Sequence, residues 1–371
     1  MGKRVVLLIG TNKGLFQYSA DLERKNWELK GPFLSGWEVY SVLGDSRGEG
    51  ESVNRIFAGT SHAAYGASIR VSDDFGETWR QIEDSPSYSP ESGFSLNRIW
   101  QLIPGAADEP NTVYAGAEEA GLFVSYDRGE HWRELQGLTQ HPTRPNWFPG
   151  AGGMCLHTII IHPTNKKRMW VAMSAVGVFR TDDGGETWQA RNVGLSRVPT
   201  GQPEDEVGRC VHKMVLDPAN PDVLYMQEHG GVFKSIDGGD SWFAIEEGLT
   251  LQDGDAPFGF PISVSPSGDL FLLPLESDER RMMKGGKLLV YSMRPGSNSW
   301  EPIGDVIPDE VRHVSVLRDA MTVDGLDPYG LYFGTTSGEI FCSLDRGVTW
   351  DRLPGQFSRI LTVKTWIIEE Q

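Results

Sequence analysis

The chain has 371 residues, 51 acidic against 34 basic, and a formal net charge of −17. That balance excludes general binding to DNA or RNA, which needs a basic footprint, and adhesion to anionic membrane surfaces. There is no apolar run of about 18 residues that would span a bilayer, and the three cysteines (Cys155, Cys210, Cys342) appear without an export signal, so the expected setting is a reducing cytoplasm.

In chain order, residues 4–9, 15–19 and 27–30 come first and read as three short strands. A phrase then recurs, Ser/Thr-x-Asp-x-Gly-x-x-Trp. It reads Ser72, Asp74, Gly76 and Trp79, then Ser125, Asp127, Gly129 and Trp132, then Thr181, Asp183, Gly185 and Trp188. Two further copies are Ser235, Asp237, Gly239 and Trp242, and Ser343, Asp345, Gly347 and Trp350. Eroded copies at Ser19, Asp21 and Trp27 and at Ser292, Gly296 and Trp300 fill the gaps, giving start-to-start spacings of 53, 53, 56, 54, 57 and 51 residues. A fixed period of this size marks a repeat array. Each copy follows a small-residue turn with two apolar residues, such as Gly177-Val178-Phe179. Before that lie a β-rich segment, a turn marked by Pro or Asp (His162-Pro163, Asp217-Pro218) and another apolar strand. Each unit is therefore four short strands, A to D, and radial repetition of such units makes a β-propeller. The N-terminal segments supply B, C and D without an A, while residues 359–363 supply a lone A. Pairing them predicts one seven-bladed β-propeller over residues 1–371, its last blade shared by the two ends so that no sheet edge is left open.

The phrase and its period resemble the Asp-box (BNR repeat) superfamily of sialidase-like and xyloglucanase-like propellers. The resemblance implies that the Asp boxes are structural turns facing away from any active site. It also implies glycoside hydrolysis as one activity to weigh.

In a propeller the D–A and B–C loops share one face, here called the top, around the central channel. Aligning the starts of strand A on the turn that follows places Glu38, Arg98, His157, His212, Phe260, His313 and Arg359 in a ring there. The B–C tips add His62, Glu118, Glu119, Ser174, Glu228, His229 and Glu276, and Trp100 adds aromatic surface. The long D–A connections 83–97, 137–156 and 192–211 stand beside them, and loops of that length in a compact fold usually serve function.

Three chemistries compete for this ring. His157, His212 and His313 can surround a divalent transition metal, with Glu228 or Glu119 as general base. The thiols of Cys155 and Cys210, each two residues before a ring histidine, lie just outside the same site as soft ligands or as buried apolar groups. Arg98, Arg312 and Arg359 can fork onto a carboxylate or phosphate, with Glu38, His62, His229 and Trp100 completing a substrate pocket. Alternatively the polar side chains form a hydrated plug of the channel. The expected function is a metal-assisted hydrolase or lyase acting in a top-face pocket on a small polar or anionic substrate. The alternatives are a glycoside hydrolase of the sialidase or xyloglucanase kind, with Glu119 and Glu228 or Glu38 and Glu276 as its carboxylates, and a non-enzymatic scaffold for a protein partner.

Overall fold

In the computed structural model, which describes residues 2–48, 53–195, 206–249, 257–305 and 313–369, each Asp box ties its own turn together. The Thr181 hydroxyl donates to Asp183 Oδ1 (2.7 Å) and accepts the Gly185 N–H (2.9 Å), while Asp183 accepts from the backbone and hydroxyl of Thr187 (3.0 and 2.6 Å). Gly185 sits at φ 97°, in the left-handed region that favours glycine, and a Cβ there would press to 3.0 Å from Leu135 Cδ1. The Trp188 indole donates to Gly185 O (3.1 Å) and packs with Phe179, Val171 and Leu135 between neighbouring sheets. Burying one such ring contributes roughly 1.5–3 kcal/mol. Trp242 and Trp300 reach further and donate to Arg191 O (2.9 Å) and Ile245 O (2.6 Å) of the preceding unit, which couples one unit to the next.

Burial works against the Asp183 carboxylate, but the Thr187 and Thr181 hydrogen bonds prevail and bring its pKa down to about 2. Its side chain is solvent-exposed, which keeps its contribution modest. Asp183→Ala should therefore cost only about 1–2 kcal/mol in urea unfolding, and a loss above about 4 kcal/mol would show that the box does more than close its own turn.

Among the described residues the strands form five four-stranded sheets and one of eight. Inner strands Glu38–Asp45, Ile99–Pro104, Leu156–Ile161, Val211–Leu216 and Gly259–Val264 belong to the five. The eight-stranded sheet holds two more, Val316–Val323 and Ile360–Glu369, joined by a single parallel bridge between Asp319 and Thr362. Dividing it at that seam gives seven four-stranded units, and each inner strand packs on the next until the ring closes. Strands Lys3–Thr11, Gly14–Asp21 and Glu28–Phe33 complete the unit begun by Ile360–Glu369, with Lys3 opposite Glu369 and Gly10 opposite Thr362. The two ends of the described chain thus share one sheet, as the B-C-D plus A reading required.

Every inner strand also carries a bulge near its start. Tyr40, Trp100, His157, His212 and Leu361 are each the extra residue between consecutive partners on the adjoining strand. In Gly259–Val264 the extra residue lies within Phe260-Pro261, and in Val316–Val323 the pairing lapses from Leu317 to Ala320. A bulge re-aims the side chain of the strand that carries it. No helix among the described residues is long and apolar enough to cross a membrane.

Candidate functional site

The bulges build the site. A cavity of about 630 Å³ opens at the top end of the ring, lined by Tyr40, Trp100, His212, Phe260, Arg318 and Leu361 from six of the seven bulges. The lapse in pairing lets three successive residues, Leu317, Arg318 and Asp319, all reach it, which regular alternation in a strand would forbid. Loop residues 149–152 and the B–C turn that holds Ser174 and Ala175 close one side. The Asp boxes sit in the C–D turns, at the other end of the strands.

Its electrostatics run against the charge of the chain. Arg281, Arg318 and Arg359 line the cavity, and among the described residues none of the three makes an ion pair with a carboxylate. Arg318 Nη1 donates to Cys155 Sγ (3.0 Å) and Ser174 Oγ (3.3 Å), and its guanidinium lies 5.3 Å from the Trp100 ring centre. The lining carboxylates are Glu38, Asp278 and Asp319. Asp319 is already matched, because Lys213 Nζ stands at 2.6 Å and Lys364 Nζ at 3.0 Å. Gln101, with its amide nitrogen turned inward, donates to Asp319 Oδ1 (3.3 Å) and His157 O (2.8 Å). Burial opposes the Asp319 charge, but the two ammoniums overcome it and hold the carboxyl well below its usual range. That leaves three guanidiniums facing Glu38 and Asp278, of which Asp278 already meets His229 Nε2 at 3.2 Å.

Of the residues singled out from sequence, Glu38, Trp100, Ser174, Cys210, His212, His229, Phe260 and Arg359 line the cavity. His157 does not. It is fully buried, donates from Nε2 to Val211 O (2.9 Å) and meets Thr158 Oγ1 at Nδ1 (3.0 Å), so neither ring nitrogen is left for a metal. His313 is exposed and away from the lining, and the three histidines do not converge. The group with metal-ligand spacing among the described residues is instead Cys210, His212 and His229.

Glu228 is buried beneath the cavity wall. Its carboxylate accepts the N–H of Cys210 (3.3 Å) and of Gly230 (2.6 Å), which shapes the turn that presents His229, and burial pushes its pKa up to about 7. Glu119 is half-buried off the cavity, and its carbonyl accepts Arg144 Nη2 (2.7 Å). Arg98 is spent on Glu118 Oε2 (3.0 Å), which also accepts the Trp100 indole N–H (3.2 Å), so this pair braces the aromatic wall and does not grip a ligand. His62 lies against Trp37 (ring centres 5.3 Å apart) and Tyr65 (4.8 Å) outside the cavity, and Glu276 pairs with Arg280. Arg312 and residues 196–205 of the 192–211 connection lie outside the described residues.

Sequence reasoning missed Tyr40, Arg281, Arg318 and Asp319. One signal was present: small residues in the adjoining strand oppose the bulge. A Cβ on Gly59 would stand 2.4 Å from Ser41 Oγ, and one on Gly116 2.5 Å from Leu156 O, so these glycines mark where an inner strand comes closest.

Fold and repeat together define an Asp-box β-propeller. The BNR/Asp-box repeat model matches residues 179–190. An oligoxyloglucan-reducing end-specific xyloglucanase of Emericella nidulans is 23% identical over 210 residues, covering 56% of this chain and 25% of the relative. A xyloglucanase of Acetivibrio thermocellus is 19% identical over 226 residues, covering 54% and 25%. The chain thus spans about a quarter of the length of the curated relatives it matches. Among solved structures, an ancestral GH74 enzyme superposes with TM-score 0.59 at 19% identity over 82% of this chain and 36% of its own. A Bacteroides uniformis protein named as a 6-phosphogluconolactonase gives TM-score 0.55 at 11% identity over 98% and 99%. These likenesses support a BNR/xyloglucanase-like propeller superfamily for the chain, with the family inside it unspecified.

Proposed function

We propose that the protein is a hydrolase acting in the top cavity on a small carbohydrate-type molecule that carries a carboxylate or phosphate. The observation that carries this reading is the set of three cavity arginines without a carboxylate partner in a chain of net charge −17. A planar guanidinium matches a carboxylate or phosphate through two parallel hydrogen bonds. Trp100, Tyr40 and Phe260 offer ring faces for the apolar side of a sugar. Glu38, which makes no ion pair among the described residues, and Asp278, which meets His229, are the lining carboxylates available for acid–base work on a glycosidic, ester or lactone bond. The xyloglucanase relatives add weight to a carbohydrate substrate.

The test is a paired screen of chromogenic glucuronides, sugar phosphates and aldonolactones against neutral glycosides and xyloglucan oligosaccharides. The acidic member of each pair should turn over preferentially. Arg281→Ala or Arg359→Ala should each raise its KM by about tenfold, the worth of one charged hydrogen bond. Turnover of neutral xyloglucan oligosaccharides alone, unchanged in both variants, would overturn the anionic substrate.

A further inference from the structure

We infer that Cys210, His212 and His229 form a binding site for a divalent transition metal of the zinc and cobalt kind on the wall of the top cavity. The ligand atoms of the three residues all lie within 4.8 Å of one another. Tetrahedral sulfur and nitrogen ligands at about 2.0–2.3 Å from zinc stand roughly 3.6 Å apart. Cys210 Sγ and His212 Nε2, at 3.7 Å, already have that spacing.

The orientation of His212 supports the same conclusion. Its Nδ1 lies 2.5 Å from Gly259 O, so the ring proton is there and the Nε2 lone pair faces the thiol. A backbone carbonyl that fixes the tautomer in this way is the usual support of a metal-binding imidazole. The bulge aims the ring at the cavity, and Phe258 and Phe260 pack against it with centroids 5.0 Å away. Asp278 Oδ2 stands 3.2 Å from His229 Nε2, a carboxylate placed to fix the second imidazole. One thiolate with two imidazoles favours zinc, cobalt or copper over magnesium or calcium. Because the protein supplies three ligands and the group borders the cavity, a fourth position remains open to solvent or substrate, as in catalytic rather than structural zinc sites. The site does not depend on the substrate assigned above and can be tested without any turnover.

The experiment titrates tag-free, chelator-treated protein with Co²⁺ alone and follows its absorption. One equivalent should bind, with tetrahedral visible bands and a near-ultraviolet thiolate-to-cobalt charge-transfer band that Zn²⁺ abolishes. Cys210→Ser should lose the charge-transfer band, and His212→Ala should lose at least about a hundredfold in Co²⁺ affinity, more than outer-shell partners are worth. Cys155→Ser should keep the band, since that thiol faces Arg318. Circular dichroism and melting temperature establish that each variant is folded, and Asp278→Asn provides a milder second variant expected to lose about 10–100-fold. No charge-transfer band in the folded parent protein, or a band that survives Cys210→Ser, overturns the site.

Discussion

Replacing Arg318 by alanine should lower kcat/KM on an acidic sugar substrate by about 10²–10³-fold, the usual effect of removing one preorganised donor from a charge-stabilising site. Arg318 is the most constrained of the three cavity arginines. One nitrogen is tethered to Cys155 and Ser174 and the guanidinium plane lies near Trp100, so the other nitrogens are aimed without further loss of side-chain freedom. Arg281 and Arg359 are exposed, so water screens their charges and smaller effects are expected there. Arg318→Lys should recover little, because an ammonium keeps the charge but lacks the fork. Parent-like kinetics in Arg318→Ala, at an unchanged melting temperature, would remove the anion from the proposal.

Asp319→Ala should destabilise the fold by about 3–5 kcal/mol, the range found when one partner of a buried ion pair is deleted. The substitution leaves Lys213 and Lys364 without their shared counter-ion at the axis. The pH dependence has a definite sign. The folded pKa of Asp319 lies below the unfolded value of about 4. Its stabilisation is therefore complete above about pH 4 and is lost only as pH falls from there towards the folded pKa. The gap between urea melts of parent and variant should close as pH falls below about 4 and Asp319 takes up its proton. A constant gap down to pH 2 would show that Asp319 acts by shape alone.

The architecture was legible because its determinants are local. Ser/Thr, Asp, Gly and Trp at fixed offsets close one turn by themselves, and their period counts the units. The inner ring was only partly legible, because bulges break the period of two on which the strand alignment relied. Counting back from the following turn found His157 and His212 at bulge positions. It selected Glu38, Arg98 and Arg359, two residues before the bulged Tyr40, Trp100 and Leu361. In the unit that holds His313 the lapse spans four residues, so that histidine stands outside while Arg318 and Asp319 turn in. The Lys213–Asp319–Lys364 cluster joins partners 106 and 45 residues apart, and no local pattern announces it.

The shared blade also sets when a cavity can exist. Its wall includes Asn12 from the first hairpin and Leu361 from the last strand, and the charge cluster at its floor waits for Lys364. A chain emerging from the ribosome can stack its central units in order, yet its first strand stays an unpaired edge until the final strand arrives. Closure of the ring, completion of the charge cluster and completion of the cavity wall are therefore one event. A nascent or clipped chain lacking the final strand would have most of its blades but an incomplete cavity wall.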